Sequence, residues 1–460
     1  MQETRREIAR RLQELAAWAA GLELSAIPEA VRRRAVLVLA DDLAAMVSSR
    51  DEPEVARVHA QLLRRGGPPM ATIFRGGDAR TDPFSAAVGN ALAANWSELD
   101  EGYRKATCHA GLYTLPALLA EAEAAGRPWD EVLRALVIGY EVATRLARAW
   151  RFPALKLHPH AIFGAVGAAA AVAALRRHDA DRFLNALTGA ATLVAVGPYN
   201  HAVRGALVRN GWAAAGAVCG MLMADWAEAG IGGLPDTPYD VYTEALGGDA
   251  APELLVHDLG QEWAVANGYH KLYACCQYAH SAVEAALAIT ADPCWPGRVD
   301  AVERVVVETH RLGLTLDNFE PQTTLAARFS MPHIVATALV LKDAGPRAFS
   351  AQTLHHPEIR ELRRRLELRP FTPELPWPHD RPARVTVRLR GGQELSRECL
   401  SAKGGPDRPL SEQELLDKVA TLTADVYPRL AETAVDLLEL RPDRLAEPWD
   451  AIVRRMTGRA

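Results

Sequence analysis

The chain has 460 residues, of which 49% are hydrophobic and only 6% aromatic, and its formal net charge is -5. This length exceeds that of a typical single domain, and the small negative charge argues against nucleic acid as a partner. The six cysteines form no CxxC pair and no Cys/His set with zinc spacing, which predicts reduced thiols and no metal site.

The first 267 residues predict a large all-helical domain. Apolar residues recur there with helical periodicity between Gly and Pro breaks, at 29–48, 83–96, 112–125, 129–150, 162–176, 180–196 and 213–230. The amino terminus carries charges of both signs without an apolar secretory segment, and the apolar run 161–175 is too short for a membrane span. We therefore expect a soluble, cytoplasmic protein with no membrane partner.

The sequence pattern changes after Gly268. Residues 299–309 and 382–389 alternate valine with polar residues, which predicts strands, and Gly391-Gly392 predicts a hairpin turn before a third strand. We expect a smaller α/β lid domain at 268–402, inserted into the helical domain.

Helical periodicity returns in the last part of the chain. Residues 403–460 are therefore predicted to pack back on domain 1–267, and the proline-rich stretch 370–382 is interpreted as a connector. The expected fold class is thus mainly α.

Two histidines stand at predicted helix starts. His109 precedes Ala-Gly and an apolar run, and His158 precedes Pro159, a residue favoured at the first helical position. Unpaired N–H groups at a helix start can bind a carboxylate, and the positive helix end lowers the pKa of a nearby histidine. Each histidine is therefore a candidate proton acceptor, and the alternative for each is an N-cap or a packed core residue.

A first polar segment, residues 98–111, begins with acidic residues that precede the first of these histidines. Glu98, Asp100 and Glu101 lie eight to eleven residues before His109, so a loop can fold one carboxylate back onto the ring and set its tautomer. Isolated acids are otherwise ordinary surface residues.

A second polar segment begins at Lys271 and ends at His280. Lys271 is a candidate charge clamp or acid/base, although an isolated lysine is usually solvated. The pair Cys275-Cys276 favours small apolar packing over redox chemistry. Gly164 lies in a glycine pattern without a preceding strand, so no dinucleotide site is predicted.

These segments belong to an ordered set of motifs that resembles the MmgE/PrpD family over nearly the whole chain. The motifs lie at 98–102 with 109–111, 139–142 with 145, 158–159 with 163–164, 208–210, 271–286 and 329–332. Each motif is weakly specific, but the set in this order is characteristic.

The resemblance implies a helical domain with a lid, an active site in the cleft between them, a homodimer, and neither metal nor organic cofactor. It also implies a small polycarboxylate substrate with an exchangeable proton on carbon. Carried over by motif, the expected catalytic residues are His109, His158, Lys271 and Asp100. The expected substrate-binding residues are Glu98, Arg209, Cys276 and His280.

Three positions depart from the decarboxylating members of this family, and one of them is a tyrosine that is absent near Asp317 and Asn318. Arg209 stands where those members have a lysine, and Cys276 stands where they have a histidine. Three functions stay open: a metal-independent lyase of dehydratase or hydratase type, an isomerase or epimerase of a substituted succinate, and a non-catalytic carboxylate-binding protein. The first two share proton abstraction α to a carboxylate.

Overall fold

The computed structural model describes residues 2–153 and 156–459, and most of these residues are helical. The fold is mainly α, as predicted. The helices of the first half are α1 (Gln2–Gly21), α2 (Glu29–Ser48), α3 (Pro53–Arg65), α4 (Pro83–Trp96), α5 (Ala110–Ala124), α6 (Trp129–Ala149), α7 (Pro159–Leu175), α8 (Ala180–Ala190), α9 (Asn200–Arg204), α10 (Trp212–Glu228) and α11 (Thr237–Tyr239). Those of the second half are α12 (His280–Thr290), α13 (Thr324–Arg328), α14 (Met331–Leu341), α15 (Ala351–Leu354), α16 (Pro357–Arg364), α17 (Glu412–Thr423), α18 (Leu430–Leu438), α19 (Pro442–Leu445) and α20 (Trp449–Thr457).

Three pairs of two-residue strands interrupt the helices, so the first part of the chain is not all-helical as expected. The pairs are β1 (Ala71–Thr72) with β2 (Arg80–Thr81), β3 (Gly102–Tyr103) with β6 (Gly268–Tyr269), and β4 (Trp150–Arg151) with β5 (Asp249–Ala250). Two residues are too few to show the alternation that predicts a strand.

A four-stranded sheet occupies the second half of the chain. Its strands are β7 (Val302–Thr309), β8 (Leu366–Pro370), β9 (Ala383–Leu389) and β10 (Glu394–Cys399), in the order β10-β9-β7-β8. Only β8 runs parallel to its neighbour, and β9 and β10 form the hairpin that Gly391-Gly392 predicts.

Helix α7 lies at the centre of the helical layer, packed against α5, α6 and α10. Small residues allow these close approaches: a Cβ at Gly220 would lie 2.5 Å from the backbone nitrogen of Ala169, and a Cβ at Gly139 would lie 2.8 Å from the Cβ of Ala171. The glycine Gly164 therefore serves helix packing, and it faces Gly216 of α10.

The buried apolar side chains form two clusters. The first contains residues of α1 to α8 and of α10, together with α17, α18 and α20, and in it Trp129 stacks on Trp449 at 5.6 Å. The second contains the sheet with α12, α14 and α16. The last helices thus pack on the first ones, and the domain boundaries at 267/268 and 402/403 stay a prediction.

No helix within 2–153 and 156–459 is both long and apolar enough to cross a lipid bilayer. The cytoplasmic location stays a prediction.

Candidate active site

The strand pair β3–β6 brings the two polar segments of the sequence together. Gly102 pairs with Tyr269, and Tyr103 pairs with Gly268. As a result Asp100 and Lys271, 171 positions apart, form a buried ion pair with 3.0 Å between Oδ1 and Nζ.

Asp100 also contacts His109, which occupies the N-cap position of helix α5 without a capping hydrogen bond from its side chain. The Oδ2 atom lies 2.6 Å from Nδ1 of the ring. Burial raises the pKa of Asp100, but the charges of Lys271 and His109 outweigh it and hold that pKa well below its ordinary value. An ionised Asp100 can only accept a hydrogen bond, so Nδ1 of His109 carries a proton, and in the neutral form of the ring the lone pair is on Nε2.

A cleft of about 580 Å³, its open mouth included, lies in front of this ring. Its charged and titratable lining residues include Glu98, Arg104, His109, His158, Arg209, Lys271, Cys276 and Arg381. Six of the eight predicted site residues are in this list. Asp100 is fully buried behind His109 and Lys271, and His280 does not line the cleft.

Arg209 is the centre of a second buried group. Its Nη1 donates to Glu98 Oε1 at 2.5 Å, and its Nε donates to Nε2 of His158 at 3.2 Å. Burial and the neighbouring charge of Arg209 lower the pKa of His158 well below its ordinary value. His158 is therefore neutral, but a permanent cation occupies its Nε2 lone pair. This leaves His109 better placed than His158 to accept a proton.

Lys271 is fully buried between two carboxylates. Its Nζ lies 3.0 Å from Asp100 and 3.6 Å from Glu98. Burial alone would lower the pKa of Lys271, but the two carboxylates raise it above its ordinary value. Lys271 thus stays charged at neutral pH and can stabilise negative charge on a ligand.

Cys276 lines the cleft as a protonated thiol, because burial and the nearby Glu98 raise its pKa to about 12. All six cysteines are unpaired in the structure, and the reduced state stays a prediction.

His280 does not lie where the sequence analysis expected it. It is the first residue of α12, and its ring points into the core, where Nε2 lies 3.1 Å from the carbonyl oxygen of Cys275 and Nδ1 contacts the hydroxyl of Tyr269. Burial lowers the pKa of His280 to about 3. With both ring nitrogens engaged, His280 is not available to a ligand in the cleft.

A layer of acids behind the cleft contains Glu101, which the sequence suggested only as a possible partner of His109, and Asp42, which the sequence did not suggest at all. Glu101 accepts hydrogen bonds from the amide of Gly111 at 2.6 Å and the hydroxyl of Tyr140 at 2.7 Å, and its own amide donates to Asp42. Burial raises the pKa of Glu101 to about 7 and the pKa of Asp42 well above its ordinary value. This layer supports the start of α5, where a side chain at Gly111 would collide with Asp42.

The sequence analysis missed two arginines in the wall of the cleft, Arg104 and Arg381. Arg104 lies within the first polar segment, and its position there could have placed it among the predicted site residues. Arg381 lies in the stretch interpreted as a connector, which carries no motif.

One His/Asp/Glu group among the described residues has metal-compatible spacing: His257, Asp258 and Glu262. It lies at the surface and does not line the cleft, and nothing else marks it as a ligand site.

Buried histidines make stability depend on pH. Burial lowers the pKa of seven of them below the ordinary 6.5, namely His59, His158, His160, His270, His280, His310 and His333. Below pH 6.5 the unfolded chain therefore binds more protons than the native one, and the free energy of unfolding falls by up to about 1.4 kcal/mol per pH unit for each group.

We expect the denaturation midpoint to fall steadily from pH 6.5 to 4, measured by urea unfolding. His333→Gln, a change away from the cleft, should make the decline shallower. A constant midpoint over this range would contradict the expectation.

The geometry defines a mainly helical protein with a charged cleft and an Asp-His-Lys group in which Asp100 and Lys271 are buried and His109 lines the cleft. The chain belongs to the MmgE/PrpD family, since residues 13–247 match the MmgE/PrpD N-terminal domain and residues 273–440 match the MmgE/PrpD C-terminal domain. The resemblance stated from the motifs is therefore confirmed.

Two characterised relatives match almost the full length. Cis-aconitate decarboxylase of Aspergillus terreus strain NIH 2624 is 25% identical over 468 aligned positions, which cover 94% of this chain and 93% of the relative. A second cis-aconitate decarboxylase of Aspergillus terreus matches with the same identity and coverage.

Proposed function

We propose that this protein is a metal-independent lyase of dehydratase or hydratase type that acts on a small di- or tricarboxylic acid. The observation that carries the proposal is Asp100, which lies between Nδ1 of His109 and Nζ of Lys271 behind the wall of a charged cleft. Family membership and the similarity to cis-aconitate decarboxylase support lyase chemistry on a tricarboxylic acid.

In this proposal Nε2 of His109 removes a proton from the carbon α to a substrate carboxylate. The electron pair of the C–H bond moves into that carboxylate, and Lys271 and Arg209 stabilise the resulting negative charge. The electron pair then forms the C=C bond as the hydroxyl on the next carbon leaves. The hydroxyl departs as water with a proton from His109 or Lys271, and hydration is the reverse.

The second candidate is an epimerase of a substituted succinate-type dicarboxylate. It begins with the same proton removal, but a proton returns to the opposite face of the carbon and no C–O bond breaks. The observation that favours it is Cys276, whose protonated thiol lines the cleft and can donate that proton. Arg209, which replaces a lysine of the decarboxylating members, is compatible with both candidates.

Proton NMR in deuterated water separates these functions. The purified protein is incubated with citrate, 2-methylcitrate, aconitate and amino-substituted succinates. An alkene product, or its hydration, supports the lyase, whereas deuterium uptake or inversion without elimination supports the epimerase. If no acid shows deuterium exchange or turnover, the remaining function is that of a non-catalytic carboxylate-binding protein.

Cys276→Ala distinguishes the two enzymatic candidates further. For a lyase whose proton transfers use His109 and Lys271, we expect kcat to change less than about tenfold, because the thiol is not the general acid. For an epimerase, inversion should fall by about a hundredfold or more while exchange of the starting isomer persists. The measurement compares the rate of stereochemical inversion with the rate of deuterium uptake in the same sample.

We also propose the homodimer that the family resemblance implies. Large apolar side chains on and after α10, among them Trp226, Ile231 and Leu234, are exposed in the single chain and are suited to an interface. Light scattering should give about twice the mass of one chain, and Trp226→Lys with Leu234→Lys should shift the mass to one chain. A monomeric wild-type protein would contradict this proposal.

A further inference from the structure

Four cationic side chains line the cleft, and three of them donate hydrogen bonds to carboxylates. The paired cations are Arg209 with Glu98 at 2.5 Å, Lys271 with Asp100 at 3.0 Å, and Arg104 with Asp380 at 2.5 Å. The fourth cation is Arg381.

Arg381 has a different environment from the other three. Its guanidinium lies 5.1 Å above the ring centre of Tyr278, and Nε is 3.6 Å from Asp380, beyond hydrogen-bond distance. Its Nε is buried without an acceptor, as is that of Arg104, but Arg381 differs in that no oxygen of the described residues accepts a hydrogen bond from any part of its guanidinium. A largely buried arginine without acceptors is costly unless a ligand supplies them. A carboxylate fits this geometry, since it can accept two parallel N–H bonds.

The segment that carries Arg381, residues 371–382, has half of its residues exposed and is called here the strap. Arg104 ties the strap to the first polar segment. Its Nη2 donates to the carbonyl oxygen of Pro378 at 3.1 Å and to Asp380, and its guanidinium lies 4.8 Å from the ring centre of Trp377. Because Arg104 follows Asp100 by four residues, the strap is connected directly to the loop that holds His109.

We infer that Arg381 binds a second carboxylate of the substrate, remote from the carbon that loses its proton, and that Arg104 is the positioning residue for the strap. The inference rests on the proposed function, which puts proton transfer at His109 and Lys271. Arg209 and Lys271 already neutralise Glu98 and Asp100, so they are poor candidates to hold two substrate carboxylates. A monocarboxylic acid would leave Arg381 without an acceptor, and the enzyme therefore selects acids with at least two carboxylates.

The test compares the best diacid from the NMR panel with its monoamide, in which the remote carboxylate is uncharged. For the wild-type enzyme we expect the diacid to bind about 100-fold more tightly than the monoamide, because the amide leaves a buried charge unpaired. In Arg381→Gln the KM for the diacid should rise about 100-fold with less than a tenfold change in kcat. The preference for diacid over monoamide should disappear.

Three further variants complete the comparison. Arg381→Lys keeps the charge and should retain part of the preference, and Arg104→Gln should raise KM in the same direction as Arg381→Gln with a smaller change. Arg388→Gln is the matched control, since this exposed arginine pairs with Glu303 on the sheet. It should leave both constants unchanged.

The outcomes separate the inference from the function on which it rests. Equal wild-type affinity for diacid and monoamide, or an unchanged KM in folded Arg381→Gln, overturns the inference and leaves the lyase proposal in place. Calorimetry that detects no binding of any panel acid to the wild-type enzyme overturns the proposed function itself. The wild-type comparison needs no variant, so it decides the question even if Arg381→Gln fails to fold.

Discussion

His109→Gln should lower kcat by about a hundred- to ten-thousand-fold while the protein stays folded. Glutamine fills similar space and can bond Asp100, but it cannot take up a proton from carbon. The measurement is the initial rate of alkene formation or deuterium uptake by proton NMR, with circular dichroism as the check on folding.

His158→Gln and His257→Gln are the matched comparisons. His158→Gln should lower kcat less than His109→Gln does, because Nε2 of His158 accepts a hydrogen bond from Arg209. The effect of replacing the imidazole should come from displacement of that guanidinium. His257 is exposed, and its variant should behave as wild type. Normal turnover in His109→Gln would rule out the assignment of proton removal to His109.

Asp100→Asn should abolish most turnover and lower the free energy of unfolding by about 3 kcal/mol. The change leaves the buried Lys271 with only Glu98 nearby, 3.6 Å away, and removes the carboxylate that fixes the tautomer of His109. Urea unfolding at pH 7 measures the loss of stability.

The double variant Asp100→Asn with Lys271→Met checks the cause. Because it removes both charges, it should recover part of the stability but none of the turnover; additive losses would contradict the ion-pair explanation.

The pKa of Asp100 is lowered in the native state. The contribution of Asp100 to the free energy of unfolding is therefore complete above its unfolded pKa of 3.8 and is lost as pH falls further. The difference between wild type and Asp100→Asn should therefore shrink only below about pH 4.

Helix boundaries were predictable where local chemistry sets them. The predicted segments 29–48 and 83–96 match α2 and α4, and the latter begins where Asp82 accepts a hydrogen bond from the amide of Ser85. The predicted helix 180–196 was too long. Helix α8 ends at Ala190, and Val196 is 82% exposed. The residues after Ala190 are apolar, and apolar residues in an exposed loop give the same sequence pattern as another buried turn of helix.

The candidate site was predictable only where its parts are close in sequence. The short loop between Asp100 and His109 made their contact foreseeable, and the structure has it at 2.6 Å. The pairing of β3 with β6 depends on the tertiary fold, so the contact of Lys271 with Asp100 could not be derived from spacing. The position of His280 in a motif suggested that it lines the cleft, but it does not. Arg381, which does line the cleft, comes from the strap, where the sequence has no motif.

The packing of the last helices against the first ones affects how the chain folds during synthesis. Leu415, Val419 and Trp449 complete the apolar cluster that begins at Ile8 of α1. The sheet and its helices are contiguous in the chain and leave the ribosome before those residues. The helical core, by contrast, stays open until the final fifty residues or so have emerged. A carboxy-terminal truncation should therefore yield a product that chaperones retain and proteases remove, even though every residue lining the cleft is present.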